Sequence, residues 1–69
     1  MTQINIFVND TPMSVISPIS IAELIALNQL DDTGTAIAQN HIIVSKPDWP
    51  TTYLNSGDKV DVFTLVAGG

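Results

Sequence analysis

Residues 19–25 read ISIAELI, and the rest of the fold follows from this stretch. Ser20 and Glu23 have the S-x-x-E spacing of a capping box, in which the serine hydroxyl accepts from the Glu23 N–H while the glutamate reaches back to the Ser20 N–H. A helix is therefore predicted from Ile21, with Ile19 and Leu24 at the two positions of a hydrophobic staple. Ile21, Leu24 and Ile25 keep the i, i+3, i+4 spacing of one buried face. Asn28 interrupts that stripe and is read as a left-handed terminator. Leu30 then folds back onto the core, and Asp31-Asp32-Thr33-Gly34 form a solvated loop.

Outward from the helix, the pattern changes period. Ile4, Ile6 and Val8 alternate with Gln3, Asn5 and Phe7, the repeat of a half-buried strand. Asn9-Asp10-Thr11-Pro12 reads as a turn, Met13 to Ile16 as a returning strand, and Pro18 as its end. On the other side of the helix, Thr35–Gln39 and Ile42–Ser45 are two short β-rich runs joined by Asn40-His41, a connection whose asparagine tolerates positive φ. Lys46 to Pro50 reads as a loop in which Trp49, the only tryptophan, lids one end of the core. Asn55-Ser56-Gly57-Asp58 is a tight turn into a last strand, Lys59 to Leu65; the glycine serves an unusual φ and the aspartate bonds the turn backbone. The order is β-β-α-β-β-β, an α+β fold in which a mixed sheet of about five strands curls over one helix.

Alternation along the last strand points Val60 and Val62 inward and Asp61, Phe63 and Leu65 outward. Phe7 also points outward. If the first and last strands are neighbours, Phe7, Phe63 and Leu65 make an exposed apolar patch suited to docking a partner.

Composition narrows the function. Sixty-nine residues with 45% hydrophobic and 13% charged side chains give one compact domain near the lower limit of what a core can hold together. Seven acidic residues against two lysines, a net charge of −5, argue against nucleic acid and for a basic protein surface as partner. No apolar run approaches the roughly 20 residues of a membrane span, and MTQINIFVND lacks the basic start of a signal peptide, so cytoplasm is the expected compartment and no membrane partner is expected. The sequence has no cysteine, hence no disulfide and no thiol nucleophile. The carboxylates are scattered, and His41, in a turn without partners at ligand spacing, is read as solvated, so neither a catalytic site nor a metal site is expected.

The end, TLVAGG over residues 64–69, is the remaining signal. Gly68 and Gly69 have no Cβ and can enter a channel too narrow for side chains. Division at residue 66 is expected, into a domain over 1–66 and a flexible tail over 67–69. The reactive atom would be in the Gly69 carboxylate, a poor electrophile until a partner makes it a mixed anhydride.

IAQNHIIVSKPDW, NSGDKV and the ending VAGG, in this order and spacing, resemble the ThiS family of ubiquitin-like β-grasp sulfur carriers of thiamine biosynthesis. IFVND and SIAEL fit the same pattern. The resemblance implies a protein co-substrate rather than an enzyme, with no bound cofactor. A ThiF-like adenylating enzyme would use ATP and Mg on Gly69, the terminus would become a thiocarboxylate approached through Gly68 and Ala67, and a ThiG-like thiazole synthase would receive the sulfur. Ser45-Lys46 stands where the family often has Pro-Arg, and Asn28 where a leucine is usual. The MoaD-like small subunit of molybdopterin synthase shares the fold and the Gly-Gly end, with a phenylalanine at the place of Phe63. That subunit, a carrier for another sulfur-transfer pathway, and a non-catalytic ubiquitin-like interaction domain are the alternatives.

Overall fold

The computed structural model describes residues 1–28 and 34–64. The N-terminal hairpin pairs β1 (Thr2–Val8) with β2 (Thr11–Ser17), Val8 facing Thr11 and Thr2 facing Ser17. Its turn is only Asn9-Asp10, both at positive φ (50° and 65°), the geometry that matches the twist of a two-residue hairpin. This corrects the expected four-residue turn: Thr11 and Pro12 already belong to the strand. Proline is tolerated there because β2 is an edge strand and Phe7, its partner, sends its own N–H the other way, to the Asp58 carbonyl at 2.9 Å.

Helix α1 (Ile21–Leu27) starts where the capping box requires. Glu23 donates its N–H to the Ser20 Oγ and Ser20 donates its own to the Glu23 Oε1, both at 3.1 Å. Asn28 ends the helix but not in the left-handed region; its φ is −90° and ψ 5°. Its Nδ2 donates to the Leu24 carbonyl at 2.9 Å, beside its backbone N–H at 3.1 Å on the same oxygen. The side chain thus competes for the last turn, and no reversal of φ is needed. The expected places of Leu30 and of residues 31–33 lie outside the described residues.

Strands β3 (Thr35–Gln39) and β4 (Ile42–Val44) form the second hairpin, turning at Asn40 and His41, again both at positive φ (50° and 71°). The segment expected as a loop is a 3₁₀ helix, Lys46–Thr51. Pro47 pre-sets its first turn, and the Thr51 and Thr52 hydroxyls donate to the Asp48 carbonyl at 3.2 and 2.7 Å. Trp49 is buried as expected, 4% exposed, and its Nε1 donates to the Val44 carbonyl at 3.0 Å. Ile21 donates its N–H to Thr52 and Leu54 donates to Ile19, both at 2.9 Å, so this segment is tied to the helix start.

The last strand, β5 (Lys59–Thr64), is central in the sheet order β2-β1-β5-β3-β4. It runs parallel to β1 and antiparallel to β3. On the helix side of the sheet, Ile6, Val15, Ile37 and Val60 meet Ile19, Ile21, Leu24, Ile25, Trp49 and Leu54. Val62 packs against this core from the same face, as the alternation predicts.

Candidate functional site

The face of the sheet away from α1 is the surface next to the C-terminal end of β5, and register decides what stands on it. Cross-strand partners share a face, so Phe63 with Ala36, and Asp61 with Ala38 and then Ile43, form two adjacent rows on the outer side. Phe63 is 48% exposed and Ile43 64%, while Ala38 between them is only 4% exposed. Two large side chains therefore flank a floor of methyl groups. Asp61 lies half-buried in the same floor.

Phe7 also points outward and is 37% exposed. It faces Lys59, however, four residues before Phe63 on β5, which puts it about 13 Å away along the strand with Asp61 in between. The contiguity expected of Phe7 with Phe63 is thus corrected. Phe63 gathers with Ala36, Ala38 and Ile43, and Phe7 stands apart beside Pro12 and Lys59. Leu65, Ala67, Gly68 and Gly69 lie outside the described residues, as does the expected division at residue 66. Ile43 went unrecognised in the sequence, although the two-residue turn at Asn40-His41 makes its pairing with Ala38 readable.

β5 is held in register from both sides by asparagines. Asn9 donates its N–H to the Val60 carbonyl at 2.9 Å and accepts the Val62 N–H on Oδ1 at 2.8 Å. Asn40 donates its N–H to the Lys59 carbonyl at 2.7 Å and accepts the Lys59 N–H on Oδ1 at 2.9 Å. Below them, the buried Asp58 accepts from the Asn55 N–H at 2.7 Å, Gln39 Nε2 at 2.9 Å and Asn40 Nδ2 at 3.1 Å. Burial acts to raise the Asp58 pKa, but the hydrogen bonds from Asn55, Asn40 and Gln39 outweigh it and hold the carboxyl below its ordinary 3.8. Gly57, at φ 88°, makes the turn that brings Asp58 under the strand.

Chemistry that needs converging side chains finds little here. Among the described residues, no three His, Cys, Asp or Glu side chains are grouped to hold a metal ion. His41 is exposed at the tip of its turn. Among those residues, no helix is long and apolar enough to cross a membrane.

One helix packed under a five-stranded mixed sheet, with parallel first and last strands at its middle, defines a ubiquitin-like β-grasp domain. The thiamine biosynthesis protein (ThiS) of Geobacter metallireducens has this fold, with a TM-score of 0.83 and 23% identity over 96% of this chain and 100% of that one. The ThiS family model matches residues 6–69, and the chain belongs to that family of small sulfur carriers, which serve as carriers rather than catalysts. Its similarity extends to the uncharacterized protein ycf40 of two organisms. It is 32% identical to that of Pyropia yezoensis, covering 99% of this chain and 96% of the relative. It is 30% identical to that of Porphyra purpurea, covering 96% and 93%. ThiS-family proteins work with activating enzymes and sulfur-transfer partners.

Proposed function

We propose that this chain carries sulfur on its C-terminal Gly69 for the thiazole branch of thiamine biosynthesis. The observation that carries this reading is the family match, which runs through Gly68 and Gly69. The likeness in fold to a thiamine biosynthesis protein favours that pathway. In the proposed cycle a ThiF-like enzyme, using ATP and Mg, joins the Gly69 carboxylate to the α-phosphorus of ATP and releases pyrophosphate. Hydrosulfide then attacks the activated carbonyl carbon, AMP leaves, and one proton is released as the thiocarboxylate forms. A ThiG-like thiazole synthase takes the sulfur.

The chain's own contribution is positional. Gly68 and Ala67 offer little bulk to a narrow channel, and Phe63, with Leu65, engages the partner surface. The absence of cysteine fits a sulfur held at the backbone terminus.

The test is the intact mass after incubation with ATP, Mg, a sulfide source and a ThiF-like enzyme active on a known carrier. The expected result is a gain equal to one oxygen replaced by sulfur, located at Gly69 by fragmentation. An unchanged mass would favour an inert ubiquitin-like interaction domain. With the thiocarboxylate in hand, transfer to a molybdopterin synthase large subunit instead of a thiazole synthase would make the chain MoaD-like in role. Transfer to neither would point to another sulfur pathway.

A further inference from the structure

In a strand, the N–H and C=O of one residue point to the same side and alternate along the chain. On β5, Lys59 bonds toward Asn40 and therefore toward β3, whereas the Val60 carbonyl and the Val62 N–H are taken by Asn9 on the β1 side. The Val62 carbonyl and both backbone groups of Thr64 continue on the β1 side. β1 has ended at Val8 by then, and its chain turns away through Asn9-Asp10 into β2. On this β1 side, among the described residues, nothing pairs with β5 beyond the Asn9 side chain, while β3 stays paired on the other side as far as Thr64. The sheet thus has a notch in the place where β1 would continue, next to Phe63 and directly before residues 65–69.

The other open edges are less suited to a partner strand. β2 carries Pro12, which has no N–H to offer, and β4 is only three residues long. We propose that this notch receives an extended backbone segment of the adenylating partner, pairing with the Val62 carbonyl and the Thr64 N–H and carrying Lys or Arg beside Asp61. The inference rests on the carrier reading above. Charge selects the occupant: the chain has net charge −5, and Asp61, half-buried on the outer face, stands immediately before Val62 on the same strand. A second copy would bring like charge to the same place. Strand addition sets register as well as affinity. A partner strand along Val62 and Thr64 would therefore fix how far the last residues reach, and so where Gly69 arrives.

The test uses the full chain, ¹⁵N-labelled, with a ThiF-like enzyme, ATP and Mg. Amide exchange is read residue by residue with and without enzyme, alongside adenylation of Gly69. Exchange at Thr64 is expected to slow by about tenfold or more in the complex. Thr64→Pro removes the N–H that points into the notch and leaves the β3 side intact; Thr64→Val keeps the N–H. Proline is expected to weaken binding about tenfold relative to valine, and Asp61→Asn to flatten the salt dependence of binding. Adenylation with Thr64 exchange unchanged, or equal affinity of folded proline and valine variants, would overturn the notch proposal and leave the carrier reading standing. A salt dependence unaltered by Asp61→Asn would overturn the basic character of the segment. Failure of a ThiF-like enzyme to bind or adenylate the wild-type chain would overturn both. If Thr64→Pro does not fold, the exchange measurement on the wild-type protein decides alone.

Discussion

Asn9 and Asn40 hold opposite edges of β5 in the same way. Each sits first in a two-residue hairpin turn at a φ of 50°, donates its backbone N–H to a β5 carbonyl, and accepts a β5 N–H on its side-chain oxygen. The turns therefore close the hairpins and also extend the pairing of the central strand. Replacing Asn9 by glycine keeps the positive φ and removes one hydrogen bond, so a loss of about 1 kcal/mol is expected. Asn40→Gly should cost more, because its Nδ2 also serves Asp58. Denaturant titration of both variants checks the order; equal losses would show that the Asn40 to Asp58 bond contributes nothing.

Asp58 makes stability depend on pH. Its carboxyl is held below 3.8 in the folded chain by the Asn55, Asn40 and Gln39 donors acting against burial. A folded pKa below the unfolded one means that this stability is fully present above about 3.9 and is lost as pH falls through the folded value. Asp58→Ala leaves buried donors unpaired and is expected to cost about 2–3 kcal/mol at neutral pH. The difference in melting temperature between wild type and variant should shrink as pH is lowered below 4. A constant difference down to pH 2 would refute this linkage.

Trp49 closes one end of the core from a 3₁₀ helix and donates to Val44. Trp49→Ala should remove about 3–5 kcal/mol, a large share of the stability of so short a chain at roughly 0.05–0.15 kcal/mol per residue. Trp49→Phe keeps most of the apolar area and should lose less. Unfolding monitored by circular dichroism provides the measurement, and a loss under 1 kcal/mol for the alanine variant would show that the ring is not part of the core.

Phe63 and Ile43 flank the Ala38 floor on the outer face. Phe63→Asp and Ile43→Ser should each weaken binding to the adenylating partner about tenfold or more, as loss of an exposed apolar anchor does. Each should change folding stability by about 1 kcal/mol or less. Phe7→Ser, on a separate part of that face, is expected to do less to binding. Calorimetry on the three variants separates a Phe63-centred surface from one centred on Phe7.

Deleting Gly69 should abolish sulfur transfer while leaving the melting temperature within experimental error. Among the described residues the core cluster runs from Ile6 to Val60, and the deletion takes away none of these side chains. A parallel loss of melting temperature and transfer would mean that the terminus has a structural part.

Local signals carried much of this fold into the sequence. The capping box marked the first residue of α1 because its two hydrogen bonds span only three residues. The Gly57-Asp58 turn and the inward and outward sides of β5 were readable for the same reason, since each depends on neighbours close in the chain. Expectations weakened where two local choices compete. Asn28 can end a helix by reversing φ or by taking a carbonyl with its amide, and only the packed structure selects the second. Lys46–Thr51, which contains Pro47 and Pro50, can be a loop or a 3₁₀ turn, and burial of Trp49 together with the threonine bonds to Asp48 favours the turn.

By itself the sequence determined the order of elements, the class of the fold, the resemblance to the ThiS family and the outward aspect of Phe7 and Phe63. Alternation is a property of a single strand, so the facing of those rings needs no partner to be known. Which of them share a surface was decided only by tertiary structure. The parallel pairing of β1 with β5 joins residues more than fifty positions apart and engages only Phe7 and Val8. That short overlap separates Phe7 from Phe63 and leaves the C-terminal half of β5 open on its β1 side beyond Asn9. Register between distant strands comes from how the whole sheet closes over α1, a long-range condition that no short stretch of sequence encodes.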